Sequence, residues 1–338
     1  MQCPKHALLT IFLHFKCYFA KKILRKAING VKLSSVCKPT PEKLRHKKGF
    51  FIMMQLPFAL DLSGKVAVVT GGGGVLCGMM AKAIAASGAK VAILDLRAEN
   101  AQKVADEIIA DGGSAIGIAA NVLEIESLKA AEKEITAKFG VCDILINGAG
   151  GNHPKGTTSK EYLEKVDLAG AVEGVTTFFD LDPQGVSFVF NLNFLGTLLP
   201  TQVFARGMAE KGNGCIVNIS SMNAFTPLTK IPAYSGAKAA ISNFTAWLAV
   251  HFAKVGIRVN AIAPGFFLTD QNRALLTNAD GSLTARGNKI IDHTPMGCFG
   301  KPEDLIGALQ FLLNEQAAGF VNGIVIPIDG GFNAYSGV

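Results

Sequence analysis

The sequence predicts a doubly wound α/β fold, in which a parallel β-sheet is covered by helices on both faces. From residue 65 onward, short apolar runs of strand length alternate with longer segments of helical period. Strand–helix–strand alternation at this spacing implies parallel pairing through right-handed crossovers. The runs are continuously apolar, as expected for strands buried on both faces. No linker or repeat divides residues 60–338, so we predict a single domain with three α/β/α layers.

The predicted elements follow one another from the first strand at Val66 to the last at Ile328. Apolar runs predict strands at Val66–Thr70, Val91–Asp95, Ala115–Ala120, Ile144–Asn147, Ile216–Ser220, Ile257–Ile262 and Ile324–Ile328. Helical periodicity predicts helices at Ala81–Ser87, Ala98–Ala110, Ile125–Phe139, Phe188–Glu210, Tyr234–Val255 and Pro302–Asn314.

Residues 1–53 are expected to lie outside this domain, as a basic N-terminal extension. They contain twelve Lys and Arg residues but one acidic residue, Glu42. Their apolar run, Leu8–Ala20, is shorter than the roughly 20 residues that span a bilayer. Two interpretations stay open: translation starts at the methionines near residue 54 and the leader is upstream sequence, or the leader is a targeting or membrane-surface segment. We place the domain at residues 54–338.

Charge and cysteine usage limit the classes of partner. Outside the leader, 25 acidic residues outnumber 21 basic ones, although the whole chain carries +7. This balance gives no reason to expect a nucleic-acid partner, and no membrane partner is predicted. The cysteines of the domain are scattered, so we expect buried thiols, no metal site and a cytoplasmic location. They are Cys77, Cys142, Cys215 and Cys298.

A glycine-rich segment follows the first predicted strand and opens a helix. Glycines at such a turn let the backbone bend sharply and approach a pyrophosphate, which the free N–H groups of the helix N-terminus attract. The place of the segment between a strand and a helix therefore indicates a dinucleotide site. The predicted contacts are Thr70, Gly71, Gly72, Gly74, Val75 and Leu76.

Asp95 ends the second predicted strand, 24 residues after Gly71. A carboxylate at this place accepts hydrogen bonds from the adenosine ribose hydroxyls and repels a 2′-phosphate, which favours NAD over NADP. Arg97 follows two residues later and leaves NADP open. The alternative reading of the whole motif is a glycine-rich turn with a helix-capping aspartate.

A second cluster carries the chemistry. Ser221 ends the fifth predicted strand, and Tyr234 and Lys238 follow on one face of a predicted helix. An ammonium near a phenol favours the phenolate and is expected to lower the tyrosine pKa, which is about 10 when unperturbed. The tyrosine then serves as an acid and base near neutral pH, and a serine hydroxyl can hold the reacting oxygen.

Further segments accompany these motifs: Asn147-Gly148-Ala149-Gly150, Asn193, Pro264-Gly265…Thr269 and Asp329-Gly330-Gly331. With them, the chain resembles the short-chain dehydrogenase/reductase family across nearly all of residues 60–335. The resemblance implies a Rossmann-type fold and an NAD(P)-dependent oxidoreductase that acts on CH–OH groups. It implies that Tyr234 donates and accepts the proton, that Lys238 holds the nicotinamide ribose and that Ser221 orients the substrate oxygen. Asn193 would fix a relay water.

The resemblance also implies further cofactor contacts and an assembly. The end of the fourth strand would line the adenosine side, and the loop at 264–269 would contact the nicotinamide. A homodimer or homotetramer is implied, because helices bearing Asn193 and Tyr234 pack on their symmetry mates in this family. The further implied cofactor residues are Asn121, Val122, Asn147, Gly148, Ala149, Pro264, Gly265 and Thr269.

Three departures from the family pattern stand out. Two residues, rather than three, separate Gly71 from Gly74, and the place of the third glycine is not clearly filled. Asn121 stands where the family has an aspartate. The stretch from Asn147 to Asn193 is about twenty residues longer than usual, which gives an insertion at about 151–185. Long loops beside an active site are usually functional.

The insertion carries a narrower resemblance, to the D-mannonate oxidoreductase (fructuronate reductase) branch of the family. That branch implies a sugar-acid substrate, D-fructuronate or D-mannonate. Alternatives are another polyol, a ketogluconate or a 3-oxoacyl chain, or a non-catalytic NAD-binding regulatory protein. Polar groups suited to hydroxyls and a carboxylate lie on loops near Ser221 and Tyr234 or in the segment after Thr269. The candidate substrate residues are Asn152, His153, Asn223, Lys230 and Arg273.

Overall fold

The structure is a computed structural model, and it describes residues 60–168, 174–269, 273 and 275–337. The extension predicted at 1–53 lies outside these residues, as does the middle of the predicted insertion, 169–173.

A seven-stranded parallel sheet forms the centre of the fold, in the order β3-β2-β1-β4-β5-β6-β7. The order reverses between β1 and β4, and in doubly wound sheets the carboxyl ends of the strands at such a point form the ligand crevice. The predicted fold class is confirmed. The strands are β1 Val66–Thr70, β2 Lys90–Asp95, β3 Ser114–Ala119, β4 Ile144–Asn147, β5 Gly214–Ile219, β6 Ile257–Pro264 and β7 Val325–Ile328.

Helices cover both faces of the sheet. Alternate residues of a strand point to opposite faces, so Ala67 and Val69 pack in one apolar cluster while Val66 and Val68 pack in the other. The helices are α1 Val75–Ala86, α2 Ala98–Ala110, α3 Ile125–Lys138, α4 Pro183–Phe190, α5 Gly196–Lys211, α6 Pro232–Phe252, α7 Ala285–Asp292, α8 Ile306–Leu313 and α9 Glu315–Ala318.

The single helix predicted at Phe188–Glu210 is wrong in one respect. It is two helices, α4 and α5, joined by a π-helical turn at Asn191–Leu195. The joined stretch, Pro183–Lys211, is 29 residues long with a mean hydropathy of 1.3, and 44% of its apolar window is buried. By length and composition it could cross a membrane, yet α5 packs against β4, β5 and α3, as a core helix does.

The cysteines follow the expectation of burial with one exception. Cys77, Cys142 and Cys215 are buried as expected, but Cys298 is exposed. Burial raises the pKa of the Cys77 thiol to about 12, so this thiol is protonated at neutral pH. In the described ranges, no group of three or more His, Cys, Asp or Glu side chains could hold a metal ion.

Candidate active site

The glycine loop between β1 and α1 is too closely packed for side chains. Gly71 has φ +63°, and a Cβ added there would lie 2.9 Å from the Ala149 backbone. A Cβ on Gly73 would lie 2.6 Å from Asn100 Cβ and 2.8 Å from Asp95 Oδ2. A bare backbone at the N-terminus of α1 is therefore available to a pyrophosphate.

The missing third glycine of the motif has a structural replacement. Leu76 is half-buried and packs against the core, whereas Gly78 faces the loop. A Cβ on Gly78 would lie 3.2 Å from the Gly72 carbonyl oxygen and 3.4 Å from Val104 Cγ2. Gly78, one turn into α1, thus lets the helix approach the loop and α2 closely.

Thr70 joins the glycine loop to the end of β4. Its side chain is fully buried, and Oγ1 accepts the backbone N–H groups of Gly148 at 3.1 Å and Ala149 at 3.3 Å. Gly148 is required as a glycine, because an added Cβ would lie 2.2 Å from Cys77 Sγ. The two predicted cofactor segments, at the ends of β1 and β4, therefore form one continuous wall.

Asp95 lies beside the loop with its carboxylate already oriented. Oδ2 accepts the Gly73 N–H at 3.2 Å, and Oδ1 accepts the Arg97 N–H at 3.1 Å. With the Asn100 amide oxygen turned towards Arg97, the guanidinium donates to it from two nitrogens, each at 3.1 Å. Arg97 is thereby directed towards Asn100, and the residues present fit a ribose with free hydroxyls.

Asn121 and Val122 follow β3, but their side chains serve the local loop. Asn121 Oδ1 accepts the Leu123 N–H at 3.0 Å, and its Nδ2 donates to Glu124 at 2.8 Å. Val122 is buried against Gly196, whose added Cβ would lie 3.1 Å from Val122 Cγ2. Cofactor contacts from these two residues stay predictions.

The loop predicted for the nicotinamide end starts where β6 ends, at Pro264. Gly265 lies directly against Asp329, since an added Cβ would be 2.5 Å from Asp329 Cβ. The Gly265 N–H donates to Ile328 at 2.9 Å. The Thr269 backbone carbonyl accepts the Arg273 N–H at 2.9 Å. Arg273 therefore lies one helical turn after the end of the loop.

Ser221, Tyr234 and Lys238 come together as predicted, at the carboxyl end of β5 and the start of α6. The Ser221 hydroxyl lies close enough to the Tyr234 phenol to act on its pKa. Lys238 Nζ lies 5.6 Å from the centre of the Tyr234 ring and donates to the Ile219 carbonyl at 2.7 Å. The three side chains therefore share one wall of the cleft at the end of the sheet.

The expected lowering of the tyrosine pKa is wrong. Burial raises the pKa of Tyr234 above its ordinary value, and the Ser221 hydroxyl opposes the increase only in part. Burial also lowers the pKa of Lys238 to about 8. Lys238 donates to a backbone carbonyl rather than to the phenol, so the short Tyr–Lys spacing alone does not give an activated phenol.

Asn193 lies in the π-helical turn and is fully buried. Its Nδ2 donates to Gly151 O and to Val189 O, each at 2.7 Å, and its Oδ1 accepts the Gly151 N–H at 3.3 Å. A Cβ on Gly150 would lie 2.6 Å from Asn193 Oδ1 and 3.2 Å from Lys238 Nζ. Gly150 therefore marks the point at which Asn193 and Lys238 meet, with the insertion beginning beside it.

Asn147 ends β4, and its side chain belongs to a polar network in the core. It is buried in the core, and its Nδ2 donates to Thr201 Oγ1 and to Asn218 Oδ1, both at 2.9 Å. Asn218 Nδ2 then donates to Thr245 Oγ1 at 2.9 Å. These four residues join α5, β4, β5 and α6. Asn147 Oδ1 is buried without a hydrogen-bond partner, and a cofactor contact from Asn147 stays a prediction.

This polar network, and a hydrogen-bonded pair of serines between β5 and α6, were not predicted from the sequence. Ser220 Oγ lies 2.7 Å from Ser242 Oγ and 3.2 Å from the Lys238 carbonyl, which holds α6 against β5. The sequence does contain an indication of this pair, because Ser220 ends an apolar segment and a buried polar side chain needs a hydrogen-bond partner. Their partners, however, are far apart in sequence.

The candidate substrate residues surround the site unequally. Asn223 is buried next to Ser221, whereas Asn152 is exposed and donates to Thr157. His153 Nδ1 accepts the Lys155 N–H at 3.2 Å, and its ring contacts Phe188 at 5.2 Å. These two residues therefore support the insertion. Lys230 and Arg273 are exposed.

A cluster of charged side chains joins the insertion to α7. Lys289, on α7, makes an ion pair with Glu161 of the insertion. Lys289, and to a smaller degree Lys230 and His293, hold the pKa of Glu161 below its ordinary value, with burial opposing them. Three basic side chains, from the loop before Tyr234 and from α7 and its end, thus approach one carboxylate.

The family description "short chain dehydrogenase" matches residues 65–280. The chain belongs to the short-chain dehydrogenase/reductase family. It is an oxidoreductase of that family, as the serine, tyrosine and lysine predicted. A protein of Haemophilus influenzae named "Uncharacterized oxidoreductase" is 60% identical over 278 residues, which is 82% of this chain and 96% of that one. "Uncharacterized oxidoreductase UxuB" of Bacillus subtilis is 54% identical over 84% of this chain and all of its own length.

A solved structure is similar in the same way. It is a Haemophilus influenzae protein, provisionally assigned as a D-mannonate oxidoreductase, with bound NAD. It is 58% identical, with a TM-score of 0.78, and the match covers 82% of this chain and 98% of that chain. NAD in that relative is the cofactor that Asp95 predicts here.

Proposed function

We propose that this protein is an NAD-dependent oxidoreductase that interconverts D-fructuronate and D-mannonate. The observation that carries the proposal is the charged, polar surface of the insertion, where Lys289 pairs with Glu161 and Lys230 also acts on that carboxylate. A substrate with a carboxylate and several hydroxyls suits such a surface, whereas an acyl chain requires an apolar one. The similarity to a relative provisionally assigned to D-mannonate supports the same substrate.

In this proposal the four predicted residues act together. Bound nicotinamide supplies the hydride to the carbonyl carbon, or accepts it from the alcohol. Tyr234 donates its phenol proton to the substrate oxygen during reduction and recovers it during oxidation. Ser221 orients that oxygen, Lys238 binds the nicotinamide ribose, and Asn193 fixes the turn against which Lys238 lies. The glycine loop and Asp95 hold the pyrophosphate and the adenosine ribose.

In this proposal Lys230 binds the substrate carboxylate. It has φ +73°, and it is the one non-glycine residue with a positive φ in the described part of the chain. Its carbonyl accepts the Thr158 N–H of the insertion at 2.8 Å. Strained backbone of this kind persists at functional sites where neighbouring structure holds it, and this one lies four residues before Tyr234.

The proposed reaction is tested by NADH oxidation with a panel of carbonyl compounds. The panel consists of D-fructuronate, 5-ketogluconate, fructose and an acetoacetyl thioester, offered to the full chain and to a form that starts at Met54. We expect rapid turnover of D-fructuronate by both forms, because we propose that residues 54–338 are the whole catalytic unit. No turnover of D-fructuronate, together with turnover of another compound in the panel, would exclude the proposed substrate but support the proposed hydride transfer.

The Lys230→Met variant tests the carboxylate site. We expect KM for the keto acid to rise about tenfold or more, since an ionic hydrogen bond of roughly 1.5–3 kcal/mol is lost, while a neutral ketose is unaffected. Lys165→Met, which removes an exposed lysine of the insertion, is the matched control. An equal KM for the acid in variant and wild type would place the carboxylate elsewhere.

We also propose that two copies meet through the exposed aromatic face of α6. Trp247 is 55% exposed and stacks on His251 at 4.6 Å, with Val250 80% exposed beside it. Exposed apolar patches of this kind mark contact sites. We expect Trp247→Arg to lower the molar mass in analytical ultracentrifugation. Ile109→Arg, at an exposed apolar residue of α2, should leave the mass unchanged, and unchanged masses for both would locate the interface elsewhere.

A further inference from the structure

Asn223 combines deep burial with an unsatisfied polar atom. The residue is 5% exposed, and its Oδ1 is buried without a hydrogen-bond partner. Buried polar side-chain atoms are nearly always hydrogen-bonded in folded proteins, and an exception at an active site calls for a ligand group that completes it. The backbone N–H groups of Asn223 and Ala224 are both hydrogen-bonded to Ser221, so the unpaired atom belongs to the side chain.

The position of Asn223 connects it to the reacting oxygen. Its backbone N–H donates to Ser221 Oγ at 3.2 Å, inside the 3₁₀ turn Met222–Ala224 that Ser221 caps. That bond occupies a lone pair of the serine oxygen and leaves the hydroxyl proton free to be directed at Tyr234. The Asn223 side chain therefore starts beside the hydroxyl that orients the substrate.

The turn that bears Asn223 is held from two sides. The Ala224 N–H donates to the Ser221 carbonyl at 3.0 Å. Thr226 Oγ1 donates to the Asn333 carbonyl at 3.4 Å, and Asn333 is fixed by two hydrogen bonds to Asp329, of 2.9 Å and 2.6 Å. A side chain supported in this way cannot easily turn to find a partner of its own.

We propose that Asn223 is a specificity-determining residue whose side-chain amide binds a substrate hydroxyl on a carbon next to the reacting carbon. A hydroxyl both donates and accepts, so it satisfies the amide in either orientation. A methylene at that place leaves the amide buried and unpaired, and sites of this type reject substrates that lack the hydroxyl. The inference rests on the proposed function for the choice of substrate, and it selects polyhydroxy acids over acyl chains.

The test compares D-mannonate with two deoxy analogues, each of which lacks one hydroxyl next to the reacting carbon. Steady-state oxidation is measured for the full-length protein with NAD. In the wild type we expect kcat/KM for one analogue to fall at least about tenfold below that for D-mannonate. In Asn223→Leu we expect this ratio to approach one, because the variant loses activity on D-mannonate and has no unpaired amide to reject the analogue.

Two further variants separate recognition from folding. Asn223→Asp keeps an acceptor of the same shape, so it should still discriminate between D-mannonate and the deoxy analogue. It provides the second measurement if the leucine variant does not fold. Gln310→Met removes another buried amide without partners, on α8, and should leave the ratio unchanged. A wild-type ratio in a folded Asn223→Leu, or equal losses on all three compounds, would overturn the proposal.

Failure of the proposed function gives a different result. If D-mannonate is not oxidised, the same comparison is made with the acid or polyol that the panel identifies and with its deoxy analogues. A ratio that still collapses in Asn223→Leu then supports the inference and discards only the substrate.

Discussion

Turnover should fall about 10²–10⁴-fold when Tyr234 is replaced by phenylalanine, the range that a positioned general acid supplies. The phenol is the candidate proton donor beside Ser221, and phenylalanine keeps the ring while removing the proton. The kcat of Tyr234→Phe with the active member of the panel measures the effect. NAD binding, followed by the change in protein fluorescence, should be nearly unchanged because the glycine loop and Asp95 are intact.

Tyr162→Phe is the matched control for that experiment. Tyr162 is 77% exposed on the insertion, so its hydroxyl should be dispensable. Full activity in Tyr234→Phe would exclude Tyr234 as the acid. Unchanged NAD binding together with no turnover in the wild type on any carbonyl compound would favour a non-catalytic NAD-binding protein.

Replacing Lys238 by methionine should remove activity and also change how stability depends on pH. Lys238 is 4% exposed, and burial lowers its pKa to about 8 from the model-peptide value of 10.5. Between these two values the unfolded chain binds more protons than the folded one, so the stability of the wild type rises with pH. Below pH 8 both states are protonated and the full cost of burying the ammonium is present.

The size of this effect follows from the two pKa values. Their difference corresponds to a change on the order of 3 kcal/mol in the free energy of unfolding across pH 8–10.5. We expect the difference in stability between Lys238→Met and the wild type to shift by that amount in the same window, as measured by urea denaturation. Lys254→Met, at an exposed lysine after the end of the same helix, should show no such shift. A constant difference over this pH window would mean that Lys238 is not buried as a charge.

The sheet could be predicted because burial and pairing coincide in it. Burial and backbone pairing differ at the ends of the strands. β2 begins at Lys90 rather than Val91, because Lys90 pairs with Ser114 of β3 although both side chains are exposed. Hydrophobicity identifies which residues are buried, whereas a strand extends as far as its backbone hydrogen bonds. α7 was missed for a related reason: it is eight residues long and contains two buried residues, Gly287 and Ile290.

The grouping of Ser221, Tyr234 and Lys238 could be predicted because their spacing is local. Tyr234 and Lys238 are one helical turn apart, and Ser221 ends a strand. The partners that set their properties are distant: Lys238 donates to Ile219, and burial outweighs the expected effect of the lysine on the tyrosine pKa. The unpaired oxygen of Asn223 could not be predicted from the sequence either, because it depends on the lack of a hydrogen-bond donor on the elements packed around it.

The π-helical turn at Asn191–Leu195 divides one helical stretch into two with different phases. Each residue of an α-helix advances the side chain by about 100°, so a single helical wheel drawn through 183–211 misassigns the faces on one side of the turn. Deleting one residue from this turn would rotate the side chains of α4 about the helix axis by the same angle, relative to α5. Val189, which now accepts the Asn193 amide and packs against α6, would turn out of contact. The length of this stretch is therefore under a stricter constraint than its composition.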